Sequence, residues 1–455
     1  MSLFIRHPPK TASKRGKRKI NGKLGSKKLE TSKQKLAKDE VISSDSDLSD
    51  IDGKNKQDFV SDEEETVQEK RLRIAKKYLE EIEKEEAAKA DKDDIDEDIV
   101  SHRLRKDVLK QAGRLQEKIA NKYDFTESEI IHIMKGHKLP VTCLAVTSDQ
   151  RYIFSGSKDC SIIKWCLQTG KRLKTIHGGR KGTEEQHVGH TGHVLCLAVS
   201  SDSKYLASGC RNNLIHIWNV ETMEKLHTFK GHKDAISGLV FQKGTHQLIS
   251  TSFDRSVKLW NLDEMTYIET LFGHQDVITG VDATMQERAL TSGGRDNTLR
   301  IWKIVEESQL VFQGDGSSIE RCCLINDQHF LSGSDNGSIA VWGIQKKKPL
   351  NVISKAHGVN EINGEPNWIT SLTALQNTDI AASGSQDGKL RLWKWEDKIL
   401  TPLHEIPLVG FINDIKFMPS GDYLVAGIGQ EHRLGRWWRL KNAKNVVVVI
   451  KLKRL

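Results

Sequence analysis

Paired cysteines, long apolar runs and enzyme signatures are all missing from this chain of 455 residues. Its seven cysteines, Cys143, Cys160, Cys166, Cys196, Cys210, Cys322 and Cys323, make no CxxC pair and no zinc-ligand spacing. An odd, scattered set reads as reduced thiols of an intracellular protein, and neither a metal nor a cofactor is expected. No stretch nears the ~20 apolar residues of a membrane span. The longest apolar run, 446–450, has the size of a strand. Lys and Arg soon follow the short apolar start, so no secretory signal is read there. There is no GxSxG elbow, no phosphate loop ending in GKS/T, and no isolated carboxylate pair. Nothing therefore supports an enzyme or a small-molecule substrate. Aromatic residues are only 6%, too few for a continuous base-stacking groove.

Charge, in contrast, is plentiful: 29% of residues, with a net of +9. Residues 1–38 carry 13 Lys/Arg against one acid, Glu30, and residues 39–65 carry 11 Asp/Glu against two Lys. Neither block can bury enough apolar surface to offset its chain entropy, so residues 1–66 are expected to form a disordered tail, basic then acidic. Lys14, Arg15, Lys17, Arg18 and Lys19 have the pattern of a nuclear import signal, compatible with general nucleic-acid contact. Ser44, Ser49 and Ser61 each precede an acidic residue by three positions. They are candidate sites for an acid-directed kinase, with a solvated linker as the plainer alternative. Residues 67–125 read as a helical extension. A first helix over 67–90 places Ile74, Tyr78 and Ile82 at spacing four. A second over 99–122 carries the stripe Val100, Leu104, Val108, Ala112, Leu115 and Ile119. Neither helix has a core of its own, so both are expected to dock on the adjoining domain or on a partner.

From residue 126 to 455 the chain repeats. Trp165, Trp218, Trp260, Trp302, Trp342, Trp393 and Trp437 recur at steps of 53, 42, 42, 40, 51 and 44 residues. That is the period of a four-stranded propeller blade. Six residues before each stands a turn residue: Asp159, Asn212, Asp254, Asp296, Asn336, Asp387 and Glu431. His137, His190, His232, His274 and His357 open five of the blades, and the first four lie 22 residues before their turn residue. The pattern predicts an all-β, seven-bladed WD40 propeller preceded by a charged tail and two helices. The turn carboxylate should hold the histidine, and the histidine a strand hydroxyl such as Ser252 or Ser292. That hydroxyl should meet the indole N–H. A buried polar network is stable only when each member is paired, so these residue types recur together. His137, Asp159 and Trp165, His232, Asp254 and Trp260, and His274, Asp296 and Trp302 are thus assigned to structure and not to metal or catalysis. Blades five and seven lack the histidine. Segments 130–134 and 446–452 both read as outer strands, and the sequence leaves open which of them closes the ring.

The two long steps hold loop insertions, 178–182 and 358–366. Eight Lys/Arg and no acid follow Glu431. Arginines with aromatic neighbours suit phosphate contact and stacking. The candidate RNA-binding residues are therefore His432, Arg433, Arg436, Trp438, Arg439 and Lys441, with Arg180 and Lys181 on the first insertion. Local pairing of Arg433 and Arg436 with neighbouring carboxylates, and Trp437 as a plain blade residue, is the competing account.

One stretch goes beyond any ordinary repeat: VAGIGQEHRLGRWWR at 425–439. With KDCSIIKW at 158–165, GTHQL at 244–248, LFGHQD at 271–276, ESQLVF at 307–312, IPLVGFIN at 406–413, QEKRLRIAK at 68–76 and the segment 105–115, it carries a resemblance over almost the whole chain. The chain resembles the WD-repeat proteins of the U3 small nucleolar ribonucleoprotein. The resemblance implies a non-catalytic nucleolar component of the small-subunit processome. It also implies binding to the box B/C element of U3 snoRNA, beside the kink-turn-binding protein and other box C/D core proteins, in support of pre-rRNA cleavage toward 18S rRNA. Residue chemistry alone also admits a protein–protein platform, such as a ubiquitin-ligase substrate receptor or a chromatin reader. The basic last blade favours RNA, because a histone reader would present an acidic mouth.

Overall fold

The computed structural model describes residues 67–89, helical positions between 101 and 109, and residues 116–454 apart from 181, 184–186, 285–286 and 361–363. A helix spans Val67–Lys89. The second predicted helix is shorter than expected. Its described positions run from 101 to 109, and the expected last turns are replaced by an extended segment and one 3-10 turn, Ala120–Lys122. The reason is tertiary. The Glu117 amide donates to the Asn377 carbonyl at 2.8 Å. The Ile119 and Ala120 amides both donate to Asp379 Oδ1, at 2.8 and 2.9 Å. Backbone donors satisfied this way have no need of a helix, and Ile119, Ala120 and Tyr123 are buried in the bargain.

Seven four-stranded antiparallel sheets follow. Six are built from consecutive strands, as in Val141–Val146, Tyr152–Ser157, Ile162–Cys166 and Arg172–Ile176. The first strand of each sheet packs on the first strands of its neighbours and lines the centre of the ring. Inner strands are almost wholly buried, whereas outer strands such as Arg172–Ile176 are largely exposed. The core therefore lies between blades. Cys143, Phe154 and Ile162 of blade one pack with Val194, Leu206 and Trp218 of blade two. Val425 and Val447 of blade seven pack with Leu144 and Trp165 of blade one.

Ring closure settles the open choice. The seventh sheet is ordered Phe411–Phe417, Tyr423–Gly429, Val446–Arg454 and then Tyr123–Lys135. The C-terminal strand is thus the third of its blade and not an outer one, and the N-terminal strand takes the outer place. The two ends of the domain are joined by a ladder of backbone hydrogen bonds from Tyr123↔Arg454 to Lys135↔Val446. The expected tryptophan of blade seven is also displaced. Ile450 pairs with Leu424, the register in which Trp165 pairs with Ile153 and Trp260 with Leu248. Ile450 therefore fills the indole position, and Trp437 lies in a loop.

The blade network is present, with its hydroxyls two residues or one earlier than expected. His232 Nδ1 meets Asp254 Oδ2 at 3.0 Å and its Nε2 meets Ser250 Oγ at 2.8 Å. The Trp260 indole N–H donates to the same Ser250 at 2.8 Å. Thr291 serves His274 and Trp302, and Ser155 serves His137 and Trp165. Of the expected relays, Ser292, one residue from Thr291, faces the other side of its strand, whereas Ser252, two residues from Ser250, shares its face but lies at the strand's end. Ser252 donates to the Asp234 carbonyl, and Ser292 meets Thr279. In blade four a one-residue step reverses the face, and in blade three a two-residue step along the same face carries the hydroxyl past the histidine and indole. His357, Asp387, Ser383 and Trp393 complete a fourth full network. Blade two has Asn212 bonded to Thr191 and leaves His190 Nδ1 without a partner. In blade five Asp315 stands at the histidine position and accepts from Asn336 at 3.1 Å.

Candidate nucleic-acid interface

Antiparallel strands put the loops between second and third strands, and the loops between blades, on one face of the ring. The insertion of residues 177–193, that of residues 354–370 and the loop of residues 430–445 all fall in these classes. The three longest irregular segments of the propeller therefore rise from the same face, where a rigid scaffold usually carries its binding groups.

The 430–445 loop is anchored from below. Asn413 Nδ2 donates to the carbonyls of Val141 and Glu431, and its Oδ1 accepts the Arg433 amide at 3.0 Å. Gln430 Nε2 donates to the Ala443 carbonyl at 2.8 Å, and the Leu440 amide donates back to the Gln430 carbonyl at 2.9 Å. Lys158 of blade one is buried beneath, its Nζ donating to the Gly435 carbonyl at 3.1 Å. Burial pulls the Lys158 ammonium below its ordinary range, and Glu431 at 3.7 Å works against that.

Arg433 is 3% exposed and crosses the ring. Its guanidinium lies 3.4 Å from the Glu320 carbonyl and 3.8 Å from the Glu320 carboxylate, on blade five. Arg321 crosses the other way, donating to Thr370 and lying 4.0 Å from Asp414. Burial first, then Arg321, bring the Arg433 guanidinium down to about 10. His432 is buried beside it, and burial with Arg433, Lys158 and Arg321 holds its imidazole neutral, down to about 3. Two of the expected RNA contacts, His432 and Arg433, are therefore interior groups. A polar side chain placed beneath the loop, with neighbours this close, has no path to a phosphate.

The remainder of the loop points outward. Arg436, Arg439 and Lys441 are exposed. Glu431 tethers two of them from inside, 3.2 Å from Arg436 Nε and 4.0 Å from Arg439 Nε. Trp437 is 64% exposed, and Trp438 stands edge-on to Trp368 at 5.1 Å. Trp368, from the insertion before blade six, also lies 6.2 Å from His432 and 6.4 Å from Trp437. An aromatic shelf thus adjoins an arginine pair held by one carboxylate, an arrangement able to stack bases and neutralise phosphates. Arg180 is exposed on the same face; Lys181 lies outside the described residues, as do the import-signal residues and Ser44, Ser49 and Ser61. Sequence reasoning missed Trp368, Lys158 and the tethering role of Glu431. The unusual length of the step holding Trp368 was the available signal for the first.

The repeat model for the WD domain, G-beta repeat, matches residues 128–166, 183–219, 223–261, 265–303, 306–343 and 357–394. The blade it leaves out is the seventh, whose third strand lacks the tryptophan. The chain is 57% identical to human U3 small nucleolar RNA-interacting protein 2 over 86% of this chain and 83% of that protein. It is 27% identical to Ribosomal RNA-processing protein 9 of Saccharomyces cerevisiae, over 83% and 89% of the two chains. The solved structure of U3-55K superposes with a TM-score of 0.69 at 52% identity, covering 72% of this chain and all of that one. With its seven-bladed ring, its displaced seventh tryptophan and these likenesses, the chain belongs to the WD-repeat family of U3 small nucleolar RNA-interacting protein 2.

Proposed function

We propose that this protein is a non-catalytic RNA-binding scaffold of the U3 box C/D ribonucleoprotein and the small-subunit processome. It binds U3 snoRNA near box B/C, beside a kink-turn-binding protein, and supports pre-rRNA processing toward 18S rRNA in the nucleolus. The observation that carries the reading is the 430–445 loop. It sets Arg436, Arg439, Lys441 and Trp437 out in solvent, on a base made rigid by Asn413, Lys158 and Arg433. The relatives' names agree, since they describe U3 interaction and ribosomal RNA processing. The histidines that would tempt a catalytic reading are held in blade networks. The basic tail, residues 1–38, supplies nuclear import; a truncated chain that still reaches the nucleolus would remove that part.

Crosslinking the full chain to cellular RNA and sequencing the adducts tests the reading. U3 should dominate, and the adducted peptides should include residues 436–441. Adducts spread over unrelated RNAs, or none from this loop, would overturn it.

A further inference from the structure

The face that bears the loop is electrically lopsided. Just before the turn residue, blades one, two and four carry Lys158, Arg211 and Arg295, whereas blade five carries Asp335. Lys158 is roofed by the blade-seven loop. Arg211 and Arg295 are exposed, as is Arg255, which follows the turn residue of blade three. Lys138 and Lys233, which follow His137 and His232, are exposed too. Among the described residues none of these five cations is held in an ion pair.

Most of the carboxylates among them are engaged inward. Asp159, Asp254 and Asp296 are turned inward on their histidines, with side chains 13%, 9% and 3% exposed. Asp276 is half-buried and Asp234 exposed, and each has one carboxylate oxygen taken by the next backbone amide, from Val277 and Ala235. Over blades five and six the same face presents Asp315, half-buried Asp335 and Glu365, which outnumber the exposed Lys355 there.

We propose that the arc from Lys138 through Arg211, Lys233 and Arg255 to Arg295 is a second phosphate-binding surface. It carries RNA backbone from the blade-seven loop over blades one to four, and the acidic sector turns the strand away from blades five and six. The inference rests on the RNA reading of the loop. Cations spaced blade by blade reach phosphates, so the arc adds affinity and salt dependence without adding sequence preference.

Filter binding of the full-length protein to a U3 snoRNA transcript, over a series of salt concentrations, tests it. R211E/R255E/R295E should weaken binding at least tenfold. It should also lower the slope of log affinity against log salt by about 2 to 3, with discrimination against an unrelated RNA unchanged. K346E/K347E/K348E makes the same charge change at the exposed start of blade five's outer strand, on the opposite face, and should stay within twofold of wild type. Equal weakening by that control would reduce the effect to net charge and overturn the arc. Wild-type affinity in the arc variant, with R436E/R439E defective, would overturn the arc and leave the loop reading intact. If the arc variant kept its RNA and lost an acidic protein from the purified particle, the surface would be a protein site and the proposal wrong. Binding unaltered by every one of these variants would remove the loop reading as well.

Discussion

Replacing Arg433 with methionine keeps most of the side chain's length and removes its charge. The guanidinium is buried and spans from blade seven to Glu320 on blade five, whose side chain is 16% exposed. Removing one partner of a buried pair costs about 3–5 kcal/mol, because the other charge is left uncompensated. Glu320 retains some solvent and the pair is long, so about 2–3 kcal/mol is the better expectation. The loss should be largely recovered in E320Q/R433M, since the pair is then removed together. Chemical denaturation of wild type, both single variants and the double variant gives the coupling directly. Limited proteolysis of the 430–445 loop should show R433M cut faster. By contrast, R436A and R439A should each lie within about 0.5 kcal/mol of wild type, as exposed substitutions do. If R433M unfolded at the wild-type midpoint, or if the double variant cost the sum of the singles, Arg433 would not be the brace described.

Two further predictions follow from the buried polar groups. Ser250→Ala leaves both the Trp260 indole N–H and His232 Nε2 without their hydroxyl and should cost about 2–3 kcal/mol, whereas Ser332→Ala in blade five strands only Trp342 and should cost less; equal losses in denaturation would contradict the network account. His190, His216 and His432 are kept neutral by burial, the first well below its ordinary range, the second down to about 4 and the third to about 3. Their folded values lie below the unfolded one, so as pH falls past about 6.5 the unfolded chain takes up protons that the fold refuses. Stability should then fall by up to about 1.4 kcal/mol per pH unit for each histidine, down to its folded value. Denaturation midpoints equal at pH 7 and pH 5 would refute this.

The ring was legible because its signal is local and repeated. A fixed spacing between histidine, turn carboxylate and tryptophan survives any uncertainty over strand ends. Ser250 was not legible for the opposite reason: it shares a strand face with Ser252, and choosing between them requires the position along the strand, which depends on register against Lys258 and Trp260. Blade seven misled through its tryptophans. Trp437 continued the period by count, yet the third strand begins only at Val446, and Ile450 takes the core position. Arg433 and Arg436 looked alike in sequence, three residues apart and both beside aromatic groups. What separates them is a contact 113 residues away, with Glu320, which no local pattern records. The second helix was cut short in the same manner, by Asp379 taking amides that a helix would have used.

The most direct test of the central claim is the affinity of R436E/R439E for a U3 snoRNA transcript, measured beside its denaturation midpoint. The variant is expected to fold, with a midpoint lowered modestly by the new carboxylates beside Glu431, and to lose at least tenfold in affinity with weakened preference for U3 over an unrelated RNA. Wild-type affinity in a folded variant would contradict that claim.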